Sequence, residues 1–114
     1  MSDIIQIYSN DIGISFQWKK SSSNLTQIIF RDIGFHLTAN EIKLFLGKIH
    51  NAKNLNTCSN CELNKKCRSI LLETPSHRVS LAVSSEELNL IEDLLEGTLF
   101  QLNLSVYLNR LCKN

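Results

Sequence analysis

The sequence predicts an α+β domain, a mostly antiparallel sheet with two helices on one face. Strand-like segments come in neighbouring pairs separated by short turn sequences. Two S/T-x-x-E sequences, starting at Thr38 and Ser84, each stand directly before an apolar periodic run. In that spacing the hydroxyl caps the amide three residues on and the Glu reaches back to the N–H of the capping residue. Strand, turn, strand, helix is therefore read twice. "FHLTANEIKLFLGKI" (35–49) lies over "LAVSSEELNLIEDLL" (81–95) without a gap, placing Thr38 on Ser84, Glu41 on Glu87, Ile42 on Leu88, Leu44 on Leu90 and Phe45 on Ile91. We read this as an internal duplication whose two hairpins are expected to meet in one sheet about an approximate twofold axis.

In chain order, "IIQIYS" (4–9) and "GISFQWKK" (13–20) are the first two strands, the second running into the polar turn "SSSN" (21–24). "NLTQIIF" (24–30) and "IGFHL" (33–37) form a hairpin connected at "RDI" (31–33). The first helix is expected to start at Ala39 and stop near His50, because "HNAKNLNTCSN" (50–60) is polar and rich in Asn. "RSILLET" and "RVSLAV" flank "PSH", where Pro75 ends the first strand of that pair. Val79, Leu81 and Val83 alternate with Ser80 and Ala82, the pattern of a strand with one buried face.

The second helix is expected to start at Ser85, and its length has two readings. Leu88, Ile91, Leu95, Leu99, Leu102 and Val106 follow a helical stripe, whereas Phe100, Leu102, Leu104, Val106 and Leu108 alternate like a strand. A strand there would need a turn, and Gly97 alone is poor turn chemistry. One helix to about Leu111 is the reading adopted, with Gly97 inside it at a cost of about 1 kcal/mol.

A chain of 114 residues suits one domain: 1–50 holding strands and the first helix, 51–67 a cysteine-bearing loop, 68–114 the second strand pair and the C-terminal helix. With 43% hydrophobic and 20% charged residues the composition is that of a globular protein, not a disordered one. A net charge of +1 gives no overall pull toward nucleic acid or anionic lipid. The start, "MSDIIQIYSNDIGISF", is acidic and lacks a small-residue cleavage site after an apolar run, so it does not read as a secretory signal. The apolar-rich stretch from Leu88 to Leu111 is broken by Glu92, Asp93, Glu96, Gln101, Asn103 and Arg110, too polar to span a bilayer. The expectation is a cytoplasmic, reducing setting, and the Asn, Ile, Lys and Ser content points to an AT-rich bacterial genome.

The stretch "IYSNDIGISFQWKK", "LTQIIFRDIGFHLTANEIKLFLGKI" and "ILLETP…VSLAVSSEELNLIEDLL" resembles a family of small uncharacterised Bacteroidota proteins, a domain of unknown function, over about residues 7–95. The shared features are a tyrosine-serine opening, a strand of the "Q-hydrophobic-x-F" kind, an "L-T-x-x-E" helix start and a strand pair before "S-x-x-E-L". The resemblance implies this fold and carries no activity. That family tends to hold a C-x-x-C in its second strand region, where this chain has "WKKSSSN", so no thiol role transfers with it.

The chemistry-bearing motif is "TCSNCELNKKC" (57–67). Cys58 and Cys61 have the C-x2-C spacing that brings two thiolates to one ion from a tight turn, and Cys67 supplies a third five residues on. A tetrahedral zinc needs a fourth ligand, for which Cys112 is the first candidate and His50 the alternative. Lys65, Lys66 and Arg68 would favour the thiolate forms. Such a closed zinc site would pin the loop between the two halves. The alternatives are an iron–sulfur or thiol-redox protein, and thiols with no special role. A further alternative is a weak nucleic-acid binder using the basic residues Lys43, Lys48, Lys53, Lys65, Lys66 and Arg68, although no aromatic interleaves them.

Nothing reads as a catalytic site. His36 alternates into the solvent face of a strand, His77 sits in the turn after Pro75, and the carboxylates Glu86, Glu87, Glu92 and Asp93 fall on helix surfaces where solvation explains them. Trp18 is expected to pack on the sheet with its N–H partnered at the edge. The chain is thus expected to be a non-enzymatic binding, scaffold or regulatory module with an unknown protein partner or a second copy of itself, meeting through exposed strand edges.

Overall fold

The structure, a computed structural model, describes residues 4–19, 25–55 and 67–111. Six strands and two helices follow in the order β1 (Ile4–Ser9), β2 (Gly13–Trp18), β3 (Thr26–Phe30), β4 (Ile33–Leu37), α1 (Ala39–Leu55), β5 (Ile70–Glu73), β6 (Ser80–Val83) and α2 (Ser85–Leu111). All strand pairs are antiparallel, which makes the fold α+β. Strands β1 to β4 form one sheet in sequence order, and β5 and β6 form a separate two-stranded sheet. The expectation that the two hairpins join in one sheet is therefore corrected for the described residues. Their link is a side chain: Arg31, in the β3–β4 turn, donates from Nη1 to the Ala82 carbonyl of β6 at 2.8 Å. Arg31 holds φ 57°, the left-handed conformation a two-residue hairpin demands, at a cost of about 1 kcal/mol for a residue with a Cβ.

The buried face of the four-stranded sheet is set by strand alternation. Thr26, Ile28 and Phe30 of β3 are buried, with Ser15 of β2 opposite Ile28 and Phe35 of β4 on its other side. Phe30, Phe35 and Phe45 of α1 form a ring cluster with centroids 5.4 to 6.4 Å apart. From α1, Ile42, Phe45, Ile49 and Ala52 point into this core at spacings of three and four. From α2, Leu88, Ile91, Leu94 and Leu95 do the same, and Ile70, Leu72 and Val83 close it from the small sheet. Each fully buried Leu, Ile or Phe contributes about 1.5–3 kcal/mol.

Both helices start where their capping boxes place them. Glu41 N–H donates to Thr38 Oγ1 (3.2 Å) while Thr38 N–H donates to Glu41 Oε1 (2.9 Å). Glu87 N–H donates to Ser84 Oγ (3.1 Å) and Ser84 N–H to Glu87 Oε1 (3.0 Å). The end of α1 differs from expectation: it runs to Leu55, past His50. Asn51 and Asn54, which read as loop, lie on its solvent side, while Ala52 extends the buried stripe of Ile49 and Lys53 pairs with Glu92 of α2.

α2 is a single helix of 27 residues, so Phe100 to Leu108 are helical. Gly97 does not end it; an added Cβ there would sit 2.5 Å from the Tyr8 ring of β1. Glycine is the residue that lets strand and helix approach so closely. Next to it Thr98 Oγ1 donates to the Leu94 carbonyl and therefore accepts from Ser15 Oγ, both at 2.6 Å. Among the described residues no buried side-chain polar atom lacks a partner. Val79, expected on a buried strand face, precedes β6 and is exposed, because the turn from Thr74 to Val79 turns it outward. Buried Thr74 holds that turn, its Oγ1 donating to the Val79 carbonyl at 2.7 Å.

Candidate functional site

The thiol site proposed from sequence falls largely outside the described residues, as Cys58, Cys61 and Cys112 do, together with Lys65, Lys66 and the turn 21–24. Cys67 is exposed and free just before β5. His50, the alternative fourth ligand, lies in α1, where its Nε2 is 3.1 Å from Glu92 Oε2. With Glu96 one turn further along α2, these groups offer three ligand atoms within 4.8 Å of one another. The Lys53 ammonium pairs with the other Glu92 oxygen at 2.5 Å, so an entering cation would compete with a charge already in place. The cluster is an ion-pair clasp between the two helices.

Three carboxylates that the sequence places on helix surfaces have partners on other elements. Besides Glu92, Asp93 accepts from the Tyr8 hydroxyl (3.0 Å) and from Asn10 Nδ2 (2.9 Å). Glu87 takes the Arg68 guanidinium through bonds of 3.0 to 3.2 Å and lies 3.8 Å from Arg31 Nε. Partial burial alone would raise the Glu87 pKa. Hydrogen bonds from Arg68 and the Ser84 amide, with the charge of Arg31, outweigh this and hold it below its ordinary value. Arg68 is raised by the same bond, and Tyr8 is raised by its bond to Asp93. Of the basic stretch, Lys48 pairs with Glu73 (3.4 Å), Lys53 with Glu92 and Arg68 with Glu87, while Lys43 is exposed. His36 and His77 are exposed.

Among the described residues, the far end of α2 is packed against nothing. Leu99 and Leu102 are the last residues packed on the core. Every residue from Asn103 to Leu108 is exposed, as is Leu111. A helix of 27 residues spans roughly 40 Å, and the molecule is 56 Å long against 27 and 26 Å in its other directions. On that projecting end Phe100, Val106, Tyr107 and Leu111 are each more than half exposed, with Leu104 and Leu108 at 37% and 48%. From Gly97 to Asn109 the sequence has no charged residue. A solvent-facing helix surface normally carries charge, and this one is apolar and uncharged instead.

A smaller apolar area lies on the outer face of the four-stranded sheet. Trp18, expected to pack there, is half exposed and meets Phe16 edge-on with centroids 5.5 Å apart, and exposed Ile29 is paired with Ile14 further along the same strand.

Comparisons with protein-family models, with curated proteins and with solved structures found no match. No helix among the described residues is long and apolar enough to cross a membrane.

Proposed function

We propose that this protein is a non-enzymatic interaction module that engages another polypeptide through the projecting end of α2. The observation that carries this reading is the exposed set Phe100, Leu104, Val106, Tyr107, Leu108 and Leu111 on a helix end that has no charged residue from Gly97 to Asn109. An apolar helix face is what a helix-in-groove or helix-to-helix contact uses. The polar clusters of the molecule support the same view, since their acids and bases are already paired in holding elements together. The test compares proteins that co-purify with tagged wild type and with Leu104→Glu, the chain itself included. The set bound by wild type should be lost in the variant; identical sets would overturn the reading.

The cysteines carry a second proposal, resting on the spacing of Cys58, Cys61 and Cys67: a structural zinc completed by Cys112 or His50. Because His50 is engaged with Glu92, Cys112 is the preferred fourth ligand. Protein purified without added metal should contain about one zinc per chain by elemental analysis. Absence of metal with all thiols reacting at once would remove this proposal.

A further inference from the structure

The geometry points to a second copy of this chain as the occupant of the α2 end, paired antiparallel as a two-helix seam. This rests on the interaction reading above and names its partner.

The exposed apolar residues form a stripe with a defined spacing. Phe100, Leu104, Tyr107 and Leu111 are separated by four, three and four residues, the alternation that builds a knobs-into-holes seam. At about 100° per residue they lie within one narrow arc, on the opposite side of the helix from Ile91, Leu95 and Thr98, which face the core. The helix thus has one apolar face used within the chain and a second left open.

Three properties favour an identical partner. First, the stripe is self-complementary in the antiparallel sense. A twofold axis between Ser105 and Val106 sets Phe100 against Leu111 and Leu104 against Tyr107, so every layer pairs one aromatic with one leucine. Parallel pairing would instead stack like on like and make layers of unequal volume. Second, the absence of charge from Gly97 to Asn109 offers a different partner no electrostatic means of selection, and two copies meet without repulsion. Third, the area suffices. Together with Leu108 on its flank the stripe exposes on the order of 500 Å² per chain, the size of a functional surface patch, so that two copies bury about the 1,000 Å² in total that a specific interface needs. Asn103, Ser105, Val106, Tyr107 and Asn109 are weak helix formers, and pairing supplies the packing that keeps this end helical.

The test is sedimentation equilibrium of the full chain. Wild type should run as a dimer of the 13.0 kDa chain at micromolar concentration. Leu104→Glu and Tyr107→Lys should each weaken association by at least about 30-fold, as loss of a central contact does. Far-UV circular dichroism and thermal unfolding of dilute samples show whether each variant keeps the fold, and Phe100→Ser substitutes for either that does not. In the antiparallel pair residue 104 of one chain faces residue 107 of the other, so mixing the two charged variants should restore a heterodimer. Wild type that is monomeric up to about 100 µM, or single variants that remain dimeric, would overturn the proposal. Monomeric single variants that do not combine would overturn the antiparallel pairing. If wild type is monomeric while Leu104→Glu still strips other proteins in the co-purification test, the partner is a different polypeptide and only the second-copy proposal falls.

Discussion

Gly97 and Glu87 show how single side chains hold this fold. Gly97 brings α2 against the Tyr8 ring, whose hydroxyl is held by Asp93. Gly97→Ala forces that ring away and should destabilise by about 1–3 kcal/mol through overpacking, despite a gain of about 1 kcal/mol in helix propensity. In a Tyr8→Ala background the obstacle is gone, and the same substitution should become stabilising. Urea unfolding of the four proteins in this double-mutant cycle measures both signs. Glu87 closes the α2 capping box and takes two arginines. Since its folded pKa is depressed, its contribution is present above the ordinary value of 4.5 and is lost as pH falls through the folded value. Glu87→Gln keeps the capping acceptor and removes the charge. Its unfolding free energy should be lower at neutral pH by about 1 kcal/mol and should fall less on acidification from pH 5 to 3 than that of wild type.

At the scale of the element, the helix starts were readable and one helix end was not. Thr38 and Ser84 each announce a helix through a local hydrogen-bond pattern four residues long, complete in the sequence and reproduced in the structure. Thr38→Ala and Ser84→Ala should each cost about 1 kcal/mol by thermal or urea unfolding, and the costs should add because the two sites share no partner. The end of α1 was misread because its last turn is stabilised from outside, by Lys53 on Glu92 and by burial of Ala52. The continuity of α2 was legible, since its core stripe from Leu88 to Leu102 keeps helical spacing. The reason for Gly97 within it was not, since Tyr8 is 89 residues away in sequence and only the fold brings them together.

For the whole molecule, the structure separates a packed body from a projecting apolar end. If that end pairs with a second copy, association and folding are linked, and the unfolding midpoint of wild type should rise with protein concentration while that of Leu104→Glu should not. Differential scanning calorimetry over a hundredfold concentration range reads this directly. The two sheets are another large-scale outcome. The paired strand–strand–helix units appear in sequence order, yet β5 and β6 stand apart from β1 to β4 and are tied to them through Arg31 and the shared core.

What the sequence by itself determined are the features that local forces decide: the alternation that makes each strand, the hydroxyl and carboxylate that start each helix, and the α+β class they add up to. What only the tertiary structure decided are the relations between distant residues. These are the splitting of the strands into two sheets, the carboxylates that find cations and hydroxyls on other elements, and the α2 stripe left open. The leucines and aromatics near the C-terminus carry the same apolar signal whether buried or exposed. Which of their faces meets the core depends on where the sheet ends, and that is fixed by packing across the whole chain.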